Sequence, residues 1–190
     1  MTGRLAQRPG AIRRAAACVS APLLVLLSPA GALAKPQVNA GWETGVCGSG
    51  SSIGFERVGW CNALHADVLF LRERGTDYGL GPSLRLGTAR FDDLRLDAGL
   101  SLLIPTFESF PLVLEAGPHL RNFDEPGVFG SVFFGFRSLN HYGRYESASG
   151  LSLLAERSFT AGTPSALWIT ARVDAGWLAL PFIFAYNALR

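Results

Sequence analysis

The sequence predicts an all-β fold, an antiparallel up-and-down barrel of about eight strands, within a range of eight to ten. Three observations lead to this prediction. Apolar and polar residues alternate with a period of two along eight segments, as in strands with one apolar face and one polar face. The stretches between these segments are rich in Gly, Pro, Asn, Asp and Ser, which are turn residues. Helical periodicity is absent from the middle of the chain.

The segment at 90–105, RFDDLRLDAGLSLLIP, shows the alternation most clearly. Leu94, Leu96 and Leu100 belong to one phase, and Arg95 and Asp97 belong to the other. The eight segments lie, in chain order, at 38–46, 64–71, 78–87, 94–104, 112–121, 128–137, 151–156 and 167–174. Turn-rich connections are predicted at 73–77, 90–93, 122–127, 140–150 and 160–165.

The last stretch, WLALPFIFAYNALR at 177–190, is compatible with two structures. As a ninth strand it would place Leu178, Leu180, Phe182 and Phe184 on one face. It is equally apolar when it is drawn as a short helix. The sequence leaves both possibilities open, and the strand count therefore stays between eight and ten.

Residues 1–34 have the features of a secretory signal peptide. Four arginines and no acidic residue form a positive region, and an apolar stretch, APLLVLL, follows at 21–27. That stretch is far shorter than the roughly 20 residues of a membrane-spanning helix. Because Ala32-Leu33-Ala34 is a cleavage signature, we expect cleavage after Ala34, export of the chain, and a single barrel domain at 35–190.

The charge balance gives no indication of nucleic-acid binding. Of the 17 basic residues in the chain, four lie within residues 1–34, which contain no acidic residue. The remaining 13 basic residues are outnumbered by the 15 acidic ones. A nucleic-acid-binding domain would instead carry a clear excess of positive charge.

Cys47 and Cys61 are the two cysteines after the predicted cleavage site, and they flank the Gly/Ser-rich stretch GSGSSIGFERVGW. In an exported chain, such a pair predicts a disulfide bond. Two free, buried thiols are the alternative.

The polar phase of the strands suits the interior of a barrel better than a solvent-exposed surface. Soluble surfaces are rich in Lys, Glu, Thr and Asn, whereas this phase contains mainly Gly, Ser and Ala with sparse charges of both signs. An eight-stranded barrel has just enough room inside for side chains, and buried charges must be paired. We predict a lumen charge network of His65, Asp67, Arg85, Arg95, Asp97, Glu115, Arg121, Arg137, Glu156, Arg172 and Asp174.

The apolar phase suits an exterior that contacts lipid. It consists mainly of Leu, Val, Ala and Phe, and Trp42, Tyr78, Phe136 and Trp177 lie near segment ends, where an interfacial aromatic girdle is expected. A charged fraction of 17% and a mean hydropathy of +0.23 agree with this interpretation. The alternative is a soluble periplasmic or secreted barrel that turns its apolar face inward and binds an apolar ligand.

With this pattern over nearly all of residues 38–188, the chain resembles the small eight-stranded outer-membrane β-barrel proteins of Gram-negative bacteria. The resemblance is architectural and involves no diagnostic motif. It implies a location in the cell outer membrane and contact with outer-membrane lipid. It also implies a structural, surface-interaction or envelope-assembly role, whose protein partners the sequence does not identify.

Some proteins of this class are lipid A-modifying enzymes that use His, Ser and carboxylate groups near the barrel rim. Residues 140–149 supply these residue types with His141, Glu146 and Ser147, but Gly143 stands where a His-x-Ser arrangement needs serine. A polar turn is the simpler interpretation. We therefore predict no catalytic residue and keep the enzyme as an alternative.

Two histidines lie near carboxylates on predicted strands. His65 is two residues from Asp67, and His119 is four residues from Glu115, so each pair shares a strand face. Such pairs are compatible with a metal site, but paired lumen residues are the simpler explanation. The chain has no phosphate-binding loop, zinc-ligand spacing or dinucleotide fingerprint, and we predict neither a metal nor a cofactor.

Overall fold

The structure is a computed structural model that describes residues 35–50, 56–72, 74–107, 109–139 and 145–189. The predicted signal peptide and its cleavage site lie outside the described residues. Eight strands form a closed antiparallel barrel, in which each strand pairs with the next and β1 pairs with β8. The predicted all-β, up-and-down barrel of about eight strands is thus confirmed.

Each of the eight predicted segments overlaps one strand, and each strand is longer than its predicted segment. The elements are β1 Gln37–Gly50, β2 Arg57–Leu69, β3 Gly79–Ala89, β4 Asp93–Phe107, β5 Phe110–Arg121, β6 Glu125–Leu139, β7 Glu146–Ser158, β8 Ser165–Asp174 and the helix α1 Ala175–Ala188. We call the end at which β1 begins and β8 ends the basal end. The opposite end, with the β1–β2, β3–β4, β5–β6 and β7–β8 connections, is the distal end.

The two phases of each strand face opposite sides of the barrel wall. In β4, Arg95 and Asp97 are buried, whereas Leu94 and Leu100 are exposed on the outside. The pairing of β3 with β4 keeps the phases aligned, because Arg85 lies opposite Asp97 and Leu86 lies opposite Leu96. The polar phase therefore lines the interior, and the apolar phase forms the exterior.

Two hairpins at the distal end are closed by similar tight turns. Asp92 N donates to the Ala89 carbonyl, and Asp124 N donates to the Arg121 carbonyl. The central residues of both turns have positive φ, 63° at Phe91 and at Phe123. Positive φ is rare for a bulky side chain, and here it accompanies phenylalanine rings that are exposed at the distal end.

Four predicted connections, at 90–93, 122–127, 140–150 and 160–165, contain strand residues, because β4, β6, β7 and β8 begin within them. The predicted connection at 140–150 is too long, because β7 begins at Glu146 and continues through Gly150, which pairs with Gly135. Asp93, predicted as part of a turn, is the first residue of β4. The prediction at 146–150 is wrong because Gly and Ser are common in turns, whereas here they lie in a strand that packs closely against its neighbour. A Cβ added to Gly150 would lie 2.5 Å from Gly135 Cα.

The tail of the chain is a helix, and the ninth-strand alternative is wrong. β8 already pairs with β1, so the closed barrel has no free edge for another strand. The Asp174 side chain accepts a hydrogen bond of 2.7 Å from Gly176 N and so caps the first turn of α1. Within the described residues, no helix is long and apolar enough to cross a membrane.

Cys47 on β1 and Cys61 on β2 form a disulfide, as predicted from the sequence. Their Cα atoms are 5.9 Å apart. Both side chains point into the barrel near the distal end, where they pack in an apolar cluster with Trp168 and Phe129. The disulfide therefore fastens the first hairpin from the inside.

Removing this disulfide should lower the free energy of unfolding by about 3 kcal/mol, the chain-entropy expectation for a loop of about 15 residues. We expect this loss in the double variant Cys47→Ala/Cys61→Ala, measured by urea unfolding. Dithiothreitol should destabilise the wild type by a similar amount and leave the double variant unchanged. Equal stability of the oxidised wild type and the variant would show that the bond contributes nothing.

Candidate functional site

The buried charges of the barrel interior are the candidate functional site. Most members of the predicted lumen charge network are buried, and they come from seven of the eight strands. Arg121 is the exception, since it lies half-buried at the distal end, where its Nε is 2.7 Å from Asp93 Oδ1. The network is divided into central, distal and basal groups.

The central group joins two carboxylates to two guanidinium groups across the lumen. Glu43 on β1 lies 3.1 Å from Arg85 Nε and 2.6 Å from Arg172 Nη2. Glu115 on β5 lies 2.9 Å from Arg85 Nη2 and accepts a 2.8 Å hydrogen bond from His65 Nε2. These contacts link β1, β2, β3, β5 and β8.

The distal group is centred on Arg95 of β4. Its guanidinium lies 2.8 Å from Asp93 Oδ2 and donates to the Glu156 carboxylate of β7 on the other side of the lumen. It also lies over the Trp168 ring, 5.4 Å from the ring centroid. Arg95 thus has both ionic and aromatic partners in the buried interior.

Asp97 and His119 form a separate contact beside the distal group. His119 Nδ1 lies 2.6 Å from Asp97 Oδ1, and the nearest arginine contact of Asp97 is Arg85 Nη1 at 3.7 Å. This contact arises because antiparallel pairing of β4 with β5 puts His119 directly opposite Asp97.

The basal group is held by Arg137 of β6. Arg137 forms a bidentate ion pair with Asp67, with N–O distances of 2.7 and 3.1 Å, and its Nε lies 2.8 Å from the Glu146 carboxylate. The Glu146 carboxylate also accepts a hydrogen bond from Arg72, a residue of the β2–β3 connection whose side chain enters the barrel. Burial, together with the like charge of Arg137, lowers the pKa of Arg72 to about 10.

Asp174 connects the interior to α1 at the basal end. One carboxylate oxygen caps the helix, and the other accepts a 2.8 Å hydrogen bond from the Tyr145 hydroxyl. Burial and this carboxylate raise the pKa of Tyr145 to about 12. Asn39 Nδ2 is a further donor to Asp174, at 3.3 Å. Asp174 is therefore a structural member of the network.

Apolar side chains fill the interior between the charged groups. Near the distal end, Trp168, Phe129 and Leu154 pack beside the disulfide. Near the basal end, Phe133 packs with Leu103 and other apolar residues, and its ring lies 4.5 Å from the Arg172 guanidinium carbon. The interior is thus occupied by side chains, as expected for a barrel of eight strands.

Two groups of His and carboxylate atoms lie close enough together to hold a metal ion, His65–Asp67–Glu115 and Asp97–His119–Glu156. The sequence correctly placed His65 and Asp67 on one face, but Glu115 is a partner of His65 rather than of His119. In each group an arginine already contacts a carboxylate, Arg85 on Glu115 and Arg95 on Glu156. These carboxylates are therefore neutralised by guanidinium groups, and we assign no metal to them.

Several interior ionic residues were missing from the predicted lumen charge network: Glu43, Arg72, Asp93, His119 and Glu146. For Glu43 and His119 the period-two signal was present, since each lies in the polar phase of its strand. Asp93 and Glu146 were assigned to connections that are in fact strand ends. Arg72 has no periodic signal at all, because it lies in a connection.

The enzyme alternative rested on residues 140–149. Residues 140–144, with His141, lie outside the described residues. Glu146 contacts both Arg72 and Arg137 and is fully buried. Its carboxylate is therefore held by structural ion pairs.

The exterior of the barrel is apolar, and its aliphatic and aromatic side chains occupy different levels along the barrel axis. The middle of the wall carries exposed aliphatic side chains, namely Leu64, Leu84, Leu100, Val132, Leu151 and Ile169. We call these residues the aliphatic belt. Exposed aromatic side chains lie near both ends: Trp60, Phe91, Phe123 and Phe159 near the distal end, and Tyr78, Phe107, Phe110 and Phe136 near the basal end.

The four aromatic residues predicted to form a girdle are all exposed. Tyr78 and Phe136 lie near the basal end, and Trp177 lies in α1. Trp42 pairs with Val173, one residue before the end of β8.

Comparison of the chain with protein-family models, curated proteins and solved structures found no match.

Proposed function

We propose that the chain is an integral outer-membrane barrel protein, with lipid around its wall and an interior closed by side chains. Its role in this proposal is structural, in surface interaction or envelope assembly. The observation that supports it most is the exterior, where the aliphatic belt lies between two sets of exposed aromatic residues. That order matches a membrane barrel, with an apolar band between aromatic girdles at the two interfaces.

The energetics favour lipid as the solvent of this wall. Each fully exposed large aliphatic side chain forfeits about 1.5–3 kcal/mol in water relative to an apolar environment. The six side chains of the aliphatic belt are each 39–64% exposed, so each forfeits part of this free energy, and because they lie on six strands the exposed apolar surface surrounds most of the barrel. Soluble monomers rarely expose an apolar area of this extent.

The interior argues against a soluble barrel that binds an apolar ligand. Such a barrel needs an apolar cavity, whereas the centre of this one contains Glu43, Arg85, Glu115 and Arg172 in ion pairs. The same filled interior favours a structural role over transport. Placement in the outer membrane also relies on the predicted signal peptide, because only an exported chain can reach that membrane.

Fractionation of producing cells tests the proposal. We expect the full chain to remain in the membrane pellet after alkaline carbonate extraction and to band with the outer membrane in a sucrose gradient. It should also migrate faster on a gel before boiling than after, because the folded barrel is compact. Recovery in the soluble periplasmic fraction without detergent would overturn the proposal.

A further inference from the structure

Helix α1 exposes apolar side chains on most of its sides. Trp177, Leu178, Leu180, Phe182 and Phe184 are all exposed, Phe182 to 77%. Because successive residues of an α-helix are rotated by about 100°, these five side chains point to different sides of the helix. An amphipathic surface helix would instead have one polar face. α1 therefore has no side that is suited to water.

The sequence of α1 is free of charge. Residues 175–189, AGWLALPFIFAYNAL, contain no Asp, Glu, Lys, Arg or His. A helix that is apolar all round belongs in the core of a large protein or in a membrane. A docking partner on one side would leave the remaining exposed rings in water, whereas lipid covers a helix on all sides at once.

α1 is continuous with the apolar exterior of the barrel. It follows β8 without a linker, and the outward-facing Ile169 of that strand belongs to the aliphatic belt. At 14 residues the helix is about 21 Å long, which is short of the roughly 30 Å hydrocarbon thickness. Its cap on Asp174 fixes its first turn at the basal end of the barrel.

We propose that α1 is a second lipid-embedded element, which lies among acyl chains and headgroups of the membrane leaflet at the basal end without crossing the bilayer. This inference rests on the proposed function, because it takes the barrel wall to be in lipid. The occupant of the exposed surface of α1 is membrane lipid, and Trp177 and Tyr186, near its two ends, suit the polar–apolar boundary.

Photo-crosslinking in the membrane of producing cells tests this proposal. The photoreactive amino acid benzoylphenylalanine is placed in the full chain at position 182 or, as a matched control, at position 100 of the aliphatic belt. Membranes are irradiated, and the adducts are identified by mass spectrometry as lipid, a second copy of this chain, or another protein. We expect lipid adducts at both positions.

The two positions separate failure of this inference from failure of the proposed function. Lipid adducts at position 100, with only protein adducts or no adduct at position 182, would overturn the lipid-embedded helix and leave the membrane barrel intact. A covalent dimer at position 182 would identify a second copy as the occupant. Absence of lipid adducts at both positions would overturn both proposals.

Discussion

Leu100→Arg is expected to impair assembly of the barrel in lipid, whereas Leu100→Phe should assemble almost as the wild type does. Leu100 lies in the middle of β4, and 60% of its side chain is exposed on the outer wall. An arginine at the midplane of a lipid-facing wall costs about 2–4 kcal/mol. In the proposed membrane location, a larger apolar side chain there would meet only fluid lipid. The measurement is the fraction of compact, unboiled barrel on a gel after refolding into vesicles.

Leu103→Phe is the matched control for these variants. Leu103 is on the same strand, is fully buried and faces the interior, where it packs with Phe133. Extra volume in a packed interior typically costs 1–3 kcal/mol, so Leu103→Phe should be more damaging than Leu100→Phe. The reverse order, with Leu100→Phe the harmful change and Leu103→Phe the mild one, would mean that the outer wall is packed rather than in fluid lipid.

The period-two pattern predicted which strand residues share a side of the wall, because side-chain alternation is a local property of the strand. It placed Arg95 and Asp97 on one side and Leu94 and Leu100 on the other, and the small residues and sparse, balanced charges of the polar side then assigned that side to the interior, where the structure has it. The same locality explains why the eight segments could be found. It also explains the error at 140–150, since a strand of Gly, Ser and Ala has no apolar phase to recognise.

The ion-pair partners could not be predicted from the sequence. Arg95 contacts Glu156, which is 61 residues away and on the far side of the lumen. Such a contact depends on strand tilt and register all round the barrel, which no single strand encodes. The structure of residues 177–190 could not be predicted for a similar reason. Only the closure of β8 onto β1, a long-range pairing, excludes a ninth strand.

Glu43→Gln should destabilise the folded barrel by about 3–5 kcal/mol, the range for breaking a buried ion pair from one side. Gln has nearly the same volume, so the loss comes from charge. Glu43 lies 3.1 Å from Arg85 and 2.6 Å from Arg172. Without its charge, these two buried guanidinium groups would keep Glu115, at 2.9 Å from Arg85 and 3.5 Å from Arg172, and the more distant Asp97, at 3.7 Å from Arg85. Urea unfolding in detergent micelles, followed by tryptophan fluorescence, measures the change.

Two further variants show whether burial is the cause. Glu125→Gln removes a partly exposed carboxylate that lies 3.6 Å from Arg121 at the distal end, and it should cost no more than about 1 kcal/mol. Adding Arg172→Met to Glu43→Gln removes one unpaired buried cation, so the double variant should be less destabilised than the sum of the two single changes. Strict additivity, or equal costs for Glu43→Gln and Glu125→Gln, would mean that the central ion pairs behave as if they were in water. The lumen would then be hydrated, and the barrel would be a water-filled passage rather than a closed structural element.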